Sequence, residues 1–216
     1  MNALELTGRA HTHLVEVPDQ GCQVHRHVAT PFKQLRGAAT KAGFDLVAVS
    51  AFRDFGRQLA IWNAKYDKPV APGLVAIAPD DRIDAILQWS ALPGASRHHW
   101  GTDMDLIDRT ATPPGYRVRL VTEEYAPGGP FSAAAEWLEI HAGRFGFFRP
   151  YRGICSGVQA EPWHFSFAPA AEQARKNLTP ALLREVLGQA DMSGKDAVLA
   201  RLEDLVGRYV KSIDLP

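Results

Sequence analysis

Short β-prone runs alternate with amphipathic helical stretches along this chain, and prolines and glycines mark most of the junctions. That alternation excludes an all-helical bundle and an all-β sandwich and leaves a mixed α+β domain. His11–Val17 and Cys22–Val28, joined by Pro18-Asp-Gln-Gly21, predict a β-hairpin. Thr30-Pro31 supplies an N-cap and an N1 proline for a helix through Phe32, Leu35 and Ala39 that ends near Gly43. Leu46–Phe52 reads as a strand that leads into a helix over Arg53–Tyr66. Pro69–Pro79 is turn-rich and reads as a loop; Asp80 or Asp81 then caps a helix through Trp89 that Pro93-Gly94 stops. Met104–Ile107 is strand-like, and Tyr116–Val121 alternates as a half-buried strand does. A helix over Phe131–Phe145 and short strands near Phe147 and over Trp163–Phe167 complete the pattern. In the tail, Thr179-Pro180 starts one amphipathic helix and Ser193 caps a second, a helical hairpin expected to pack on the domain.

Composition narrows the partners. The chain has 216 residues, 46% hydrophobic and 22% charged, and 24 basic residues balance 24 acidic ones. Zero net charge argues against a broad footprint for nucleic acid or an anionic membrane. Cys22 and Cys155 belong to no C-x-x-C pair, so two reduced, packed thiols are expected rather than a disulfide or a thiolate metal site. The N-terminus shows no basic segment followed by an apolar one, and no run approaches the roughly 18 to 20 apolar residues that span a bilayer. The expectation is a cytoplasmic protein, or a periplasmic one if a leader has been removed.

Two stretches carry chemistry. Pro93-Gly-Ala-Ser96-Arg-His98-His99-Trp100-Gly101-Thr-Asp103-Met-Asp105 places His and Asp around a glycine bend, which can bring imidazole nitrogen and carboxylate oxygen to one point, as tetrahedral zinc requires. In Glu161-Pro162-Trp163-His164-Phe165-Ser166-Phe167, the bend at Pro162-Trp163 must turn Glu161 or His164 so that both face one way. Three ligands and one carboxylate that is not a ligand describe a hydrolytic site. His99 reads as a residue behind the ligands or lining the substrate rather than a fourth ligand. The His11/His13 and His25/His27 pairs read as solvated hairpin, Trp62, Trp89 and Trp137 as core, and Trp100 and Trp163 as pocket wall.

Taken together, Ser96-x-His98-x-x-Gly101-x-x-x-Asp105 and Glu161-x-Trp163-His164 resemble the motifs of the VanY-type zinc D-alanyl-D-alanine carboxypeptidases, S-x-H-x-x-G-x-A-x-D and E-x-W-H-x-x-Y. Ser50-Ala-Phe-Arg53-Asp-Phe-Gly-Arg-Gln58 is similar to that family's S-G-Y-R-S-x-x-x-Q segment, and Trp137-Leu138 with Phe145-Gly146-Phe147 to its W-L…(Y/F)-G-F passage. The resemblance covers about residues 30 to 168. It implies one Zn2+ per chain held by His98, Asp105 and His164, with Glu161 as general base and Arg53 facing the scissile carbonyl or the substrate carboxylate. It also implies that Gln58 and Ser96 help hold the terminal carboxylate. Two positions depart from the pattern. Asp103 replaces the usual Ala, either on the opposite strand face or behind a ligand, and Phe167 replaces the closing Tyr.

The resulting expectation is an α+β fold, a small antiparallel sheet with flanking helices around a zinc cleft, plus a C-terminal helical hairpin. A β-hairpin entry occupies 1–29, the zinc carboxypeptidase domain 30–168 and the helical tail 169–216. The implied activity is removal of the C-terminal D-alanine from a peptidoglycan stem peptide or muropeptide. The absent leader leans the reading to L,D-carboxypeptidase action on recycled tetrapeptides. D,D action on D-Ala-D-Ala pentapeptides, an endopeptidase, and a catalytically silent wall-peptide-binding relative are the alternatives.

Overall fold

The computed structural model describes residues 1–68, 78–154 and 157–216. The loop expected over Pro69–Pro79 lies mostly outside the described residues, and so does Cys155.

After a single helical turn, α1 (Ala3–Leu6), the expected hairpin forms from β1 (Leu14–Val17) and β2 (Cys22–His25), with Gly21 left-handed at the end of its turn. Helix α2 (Ala29–Lys41) and strand β3 (Leu46–Ser50) follow, then α3 (Phe55–Tyr66) and α4 (Pro79–Leu87). Strand β4 (Asp103–Asp108), helix α5 (Ser132–His141), β5 (Phe147–Phe148) and β6 (His164–Phe167) complete a four-stranded antiparallel sheet in the order β3-β4-β6-β5. The tail adds α6 (Ala168–Asn177), α7 (Pro180–Gly188), α8 (Lys195–Ala200) and α9 (Leu202–Val206). Among the described residues no helix is long and apolar enough to cross a membrane.

Strand alternation sorts the sheet into two faces. Leu46, Met104, Leu106, Phe165 and Phe167 pack with Phe32 and Leu35 of α2 and Leu138 of α5 in one core cluster. The residues between them on β4 and β6, Asp103, Asp105, His164 and Ser166, are polar and yet buried. A second cluster joins Leu6, Trp62 of α3, Leu87 of α4 and Trp100 to Leu183, Leu187, Val198, Leu202, Leu205 and Tyr209 of the tail.

Several boundaries differ from expectation for local reasons. Helix α2 starts at Ala29, with no side-chain cap; Thr30 and Pro31 sit inside its first turn, where a missing N–H costs nothing. Asp80 and Asp81 lie in the first turn of α4 rather than capping it, because Pro79 already opens the helix; it ends at Leu87, short of Trp89. Helix α5 tightens into a 3-10 turn over Ala142–Phe145. Tyr116–Val121 is not a strand, since Leu120 has φ +53° and the backbone N–H groups of Arg119 and Val121 donate to the Glu124 carboxylate. Ser193 does not cap α8. Its N–H donates to Asn63 Oδ1 at 3.0 Å and its carbonyl accepts from Trp62 Nε1 at 3.0 Å, tying the tail to α3, while Gly194 (φ +72°) takes the cap position.

Gly101 closes the 3-10 turn Arg97–Trp100 at φ +65°, and a Cβ there would stand 2.5 Å from Leu14 Cδ2 and 2.7 Å from the His25 nitrogen. Gly101→Ala is therefore expected to destabilise the protein by more than about 1 kcal/mol, read as a lower denaturant midpoint. An unchanged midpoint would show that the hairpin yields freely.

Candidate metal centre

The sheet places the candidate ligands side by side. Asp105 pairs with His164 on β6 and with Ser50 on β3, so cross-strand neighbours converge on one carboxylate. His98 comes from the 3-10 turn Arg97–Trp100, which docks on the end of β3: Arg53 N–H donates to the His98 carbonyl at 3.2 Å. The His98 ring packs Nδ1 against the Ala51 carbonyl at 2.8 Å and turns Nε2 to 3.6 Å from Asp105 Oδ2. His164 Nε2 lies 3.0 Å from Asp103 Oδ1, which leaves Nδ1 3.3 Å from Asp105 Oδ1 and 3.3 Å from Glu161 Oε2. One ligand atom each from His98, Asp105 and His164 falls within 4.8 Å of the others, and all three residues are buried.

Burial and charge work against each other here. Burial pushes His98 down to about 4, only partly offset by Asp105. Burial also opposes a charged His164, but the surrounding carboxylates of Asp103, Asp105 and Glu161 outweigh it and raise that imidazole well above its ordinary value. For Asp105, burial favours the neutral acid, yet the neighbouring histidines hold the carboxyl below the usual range. Asp105 Oδ1 lies 3.3 Å from His164 Nδ1 and has no hydrogen-bond partner. Such an orphaned buried oxygen costs free energy that a cation would recover. Two imidazole nitrogens and a carboxylate oxygen, with no fourth protein ligand among the described residues, fit zinc with one position open to solvent or substrate.

Arg53, just before α3, donates Nη1 to Gln58 Oε1 at 2.9 Å and Nη2 to Ser50 Oγ at 3.1 Å, while its buried Nε has no partner. Gln58 is fully buried, and its Nε2 donates to the Ala91 carbonyl at 2.8 Å. Both ends of that amide are thus used within the protein, which places Gln58 behind Arg53 rather than on the cleft wall. Ser96 is on the wall. His99 donates Nδ1 to the Arg53 carbonyl at 2.6 Å and accepts the Gly94 N–H through Nε2, so it fixes the backbone that carries Arg53.

These groups face a cleft of about 330 Å³. Arg53, Ser96, His98, Asp105, Glu161 and His164 all line it, and Trp163 forms part of its wall as expected. Two other tryptophans exchange roles. Trp100 is fully buried, with Nε1 donating to the Leu6 carbonyl, whereas Trp89 is 50% exposed and lines the cleft. Sequence reasoning missed Lys65, Tyr151 and Tyr209 on the cleft wall, none of which belongs to a recognisable motif. His13 and His25 are buried rather than solvated, and His13 Nε2 contacts the His99 carbonyl at 3.2 Å.

The four-stranded sheet and the buried His–Asp–His cluster, with the Glu161 carboxylate beside it, define the class: an α+β fold built around a candidate metal site. Residues 21–170 match the family model of VanY, D-alanyl-D-alanine carboxypeptidase, and the chain belongs to that family. An uncharacterized protein of Haemophilus influenzae is 34% identical over 121 residues, covering 55% of this chain and 92% of its own length. The fold is shared with the vancomycin-resistance D,D-pentapeptidase VanY in complex with Zn(II), at 24% identity and a TM-score of 0.54 over 77% of this chain and 85% of that one. It is also shared with the LD-carboxypeptidase LdcB, at 22% identity and a TM-score of 0.53 over 86% of this chain and 76% of that one.

Proposed function

We propose that this chain is a zinc-dependent carboxypeptidase that removes the C-terminal D-alanine from peptidoglycan stem peptides, with His98, Asp105 and His164 as zinc ligands. The observation that carries the reading is the convergence of three buried ligand atoms within 4.8 Å, with the Glu161 carboxylate beside them. When bound, zinc supplies Lewis-acid polarisation of the scissile carbonyl and makes the attacking water more acidic. Glu161 takes the proton from that water and returns it to the departing amine. Arg53 lines the cleft, and its fixed planar guanidinium suits either the substrate carbonyl or the terminal carboxylate. Gln58 holds that fork in place, and the Ser96 hydroxyl is positioned for the terminal carboxylate.

The D,D and L,D cuts differ in the residue on the acyl side of the scissile bond, so an assay on two defined stems separates them. Purified protein is expected to release D-alanine from a muropeptide tetrapeptide, the L,D cut. Chelator should abolish release and added zinc restore it. Release from the pentapeptide alone would replace the L,D form by the D,D form. Stoichiometric zinc with no release from either stem would point to a silent binding protein, and activity indifferent to chelator in metal-free protein would refute the zinc site.

A further inference from the structure

Behind the ligands stands a buried carboxylate that the proposed reaction does not use. Asp103 lies two residues before Asp105 on β4 and therefore points to the same face, paired in register with Ser166. It is fully buried. Its Oδ1 lies 3.0 Å from His164 Nε2 and accepts Arg97 Nε at 2.7 Å, and its Oδ2 accepts the Thr102 hydroxyl at 2.5 Å. Arg97, itself buried, donates Nη2 to Ser166 Oγ at 2.6 Å and lays its guanidinium 4.9 Å over the Trp100 ring. The carboxylate is thus held by Arg97 and Thr102, and the remaining direction of Oδ1 is given to His164.

A buried ion pair is poor value for stability alone, since apolar residues of like volume often serve as well. Here the pair ends on one atom of an imidazole whose other nitrogen faces Asp105 and Glu161. A hydrogen bond at one ring nitrogen decides which tautomer the ring adopts and so which nitrogen is free to bind a metal. We propose that Asp103, clamped by Arg97 and Thr102, is a positioning residue that fixes His164 as the Nε2–H tautomer and presents Nδ1 to the metal. The inference rests on His164 being a zinc ligand. On that assignment, the Asp103–Arg97 unit sets the affinity of the site.

The test measures zinc affinity by competition with a chromophoric chelator for the unaltered protein, Asp103→Ala, Asp103→Asn and the double variant Arg97→Met/Asp103→Ala. The double variant removes both buried charges and stands in for Asp103→Ala should the lone arginine unfold that protein. Asp103→Ala or the double variant is expected to bind zinc about 10- to 100-fold more weakly. Asp103→Asn keeps an acceptor oxygen for Nε2–H and should recover most of the loss. Long-range 1H–15N spectra of the zinc-loaded protein should show His164 protonated at Nε2, a signature lost or mixed in the alanine variants. Equal zinc affinity in all four proteins, or an unchanged His164 signature without the carboxylate, would overturn the positioning role. Absence of zinc binding in the unaltered protein would instead overturn the ligand set, and this inference with it.

Discussion

Replacing Glu161 by Gln is expected to lower kcat by about 10²- to 10⁴-fold, the range a positioned general acid–base contributes, while zinc binding and KM change little. The substitution keeps the shape of the side chain and removes only its capacity to take a proton. Its setting supports that separation. Glu161 N–H donates to the Tyr151 carbonyl at 3.0 Å, and the Glu161 carbonyl accepts from His164 N–H at 3.1 Å, so the backbone is pinned on both sides of the bend. The side chain reaches Oε2 to 3.3 Å from His164 Nδ1 but is not one of the three converging ligands. Steady-state kinetics on the preferred muropeptide, with zinc content measured in parallel, checks the assignment. Loss of zinc together with activity would make Glu161 a ligand rather than a base, and full activity with zinc retained would remove it from the mechanism.

The sheet was legible because its period is short and its chemistry is segregated. On β4 and β6, apolar Met104, Leu106, Phe165 and Phe167 alternate with Asp103, Asp105, His164 and Ser166, which sets Asp105 and His164 on the polar face and puts Asp103 on the same face as Asp105, one of the two placements the sequence left open. The turn carrying His98 was legible through Gly101, whose backbone only glycine adopts without strain. Tyr116–Val121 has the same alternation and fails as a strand. Its backbone donors are taken by a single carboxylate, Glu124, which also accepts the Tyr116 hydroxyl at 2.7 Å. A side chain that collects several N–H groups competes with a sheet ladder, and a period of two carries no trace of that competition. Trp89 follows the helical period of α4 yet lies beyond its last turn, so the period no longer directs it inward. The role of Gln58 was hidden for a different reason. A motif gives the residue but not its partners, and the carbonyl that occupies its amide, Ala91, lies far along the chain.

Deleting residues 179–216 is expected to abolish cooperative folding rather than trim an appendage. The family match ends at residue 170, which invites the view that the tail is dispensable. Packing argues otherwise. Leu183, Leu187, Val198, Leu202, Leu205 and Val206 enter the same cluster as Trp62, Leu87 and Trp100, and each of those tail side chains is buried. Each such side chain contributes about 1.5–3 kcal/mol on burial, so the set is as large as the roughly 5–15 kcal/mol that holds a typical domain together. Polar ties add to this. Tyr209 donates to Asp84 of α4 at 3.0 Å, and Arg201 reaches the same carboxylate at 2.9 Å. The predicted readout for the truncated chain is loss of a sharp thermal transition and of near-ultraviolet dichroism. A truncated protein melting as sharply and as high as the full chain would overturn the prediction. Because Tyr209 and Val210 also line the cleft, a second measurement separates folding from catalysis. Val210→Ala should keep a cooperative transition, since it removes little volume, and change KM for the stem peptide more than kcat. A change confined to kcat would place the tail's influence on the reacting groups instead of on the cleft wall.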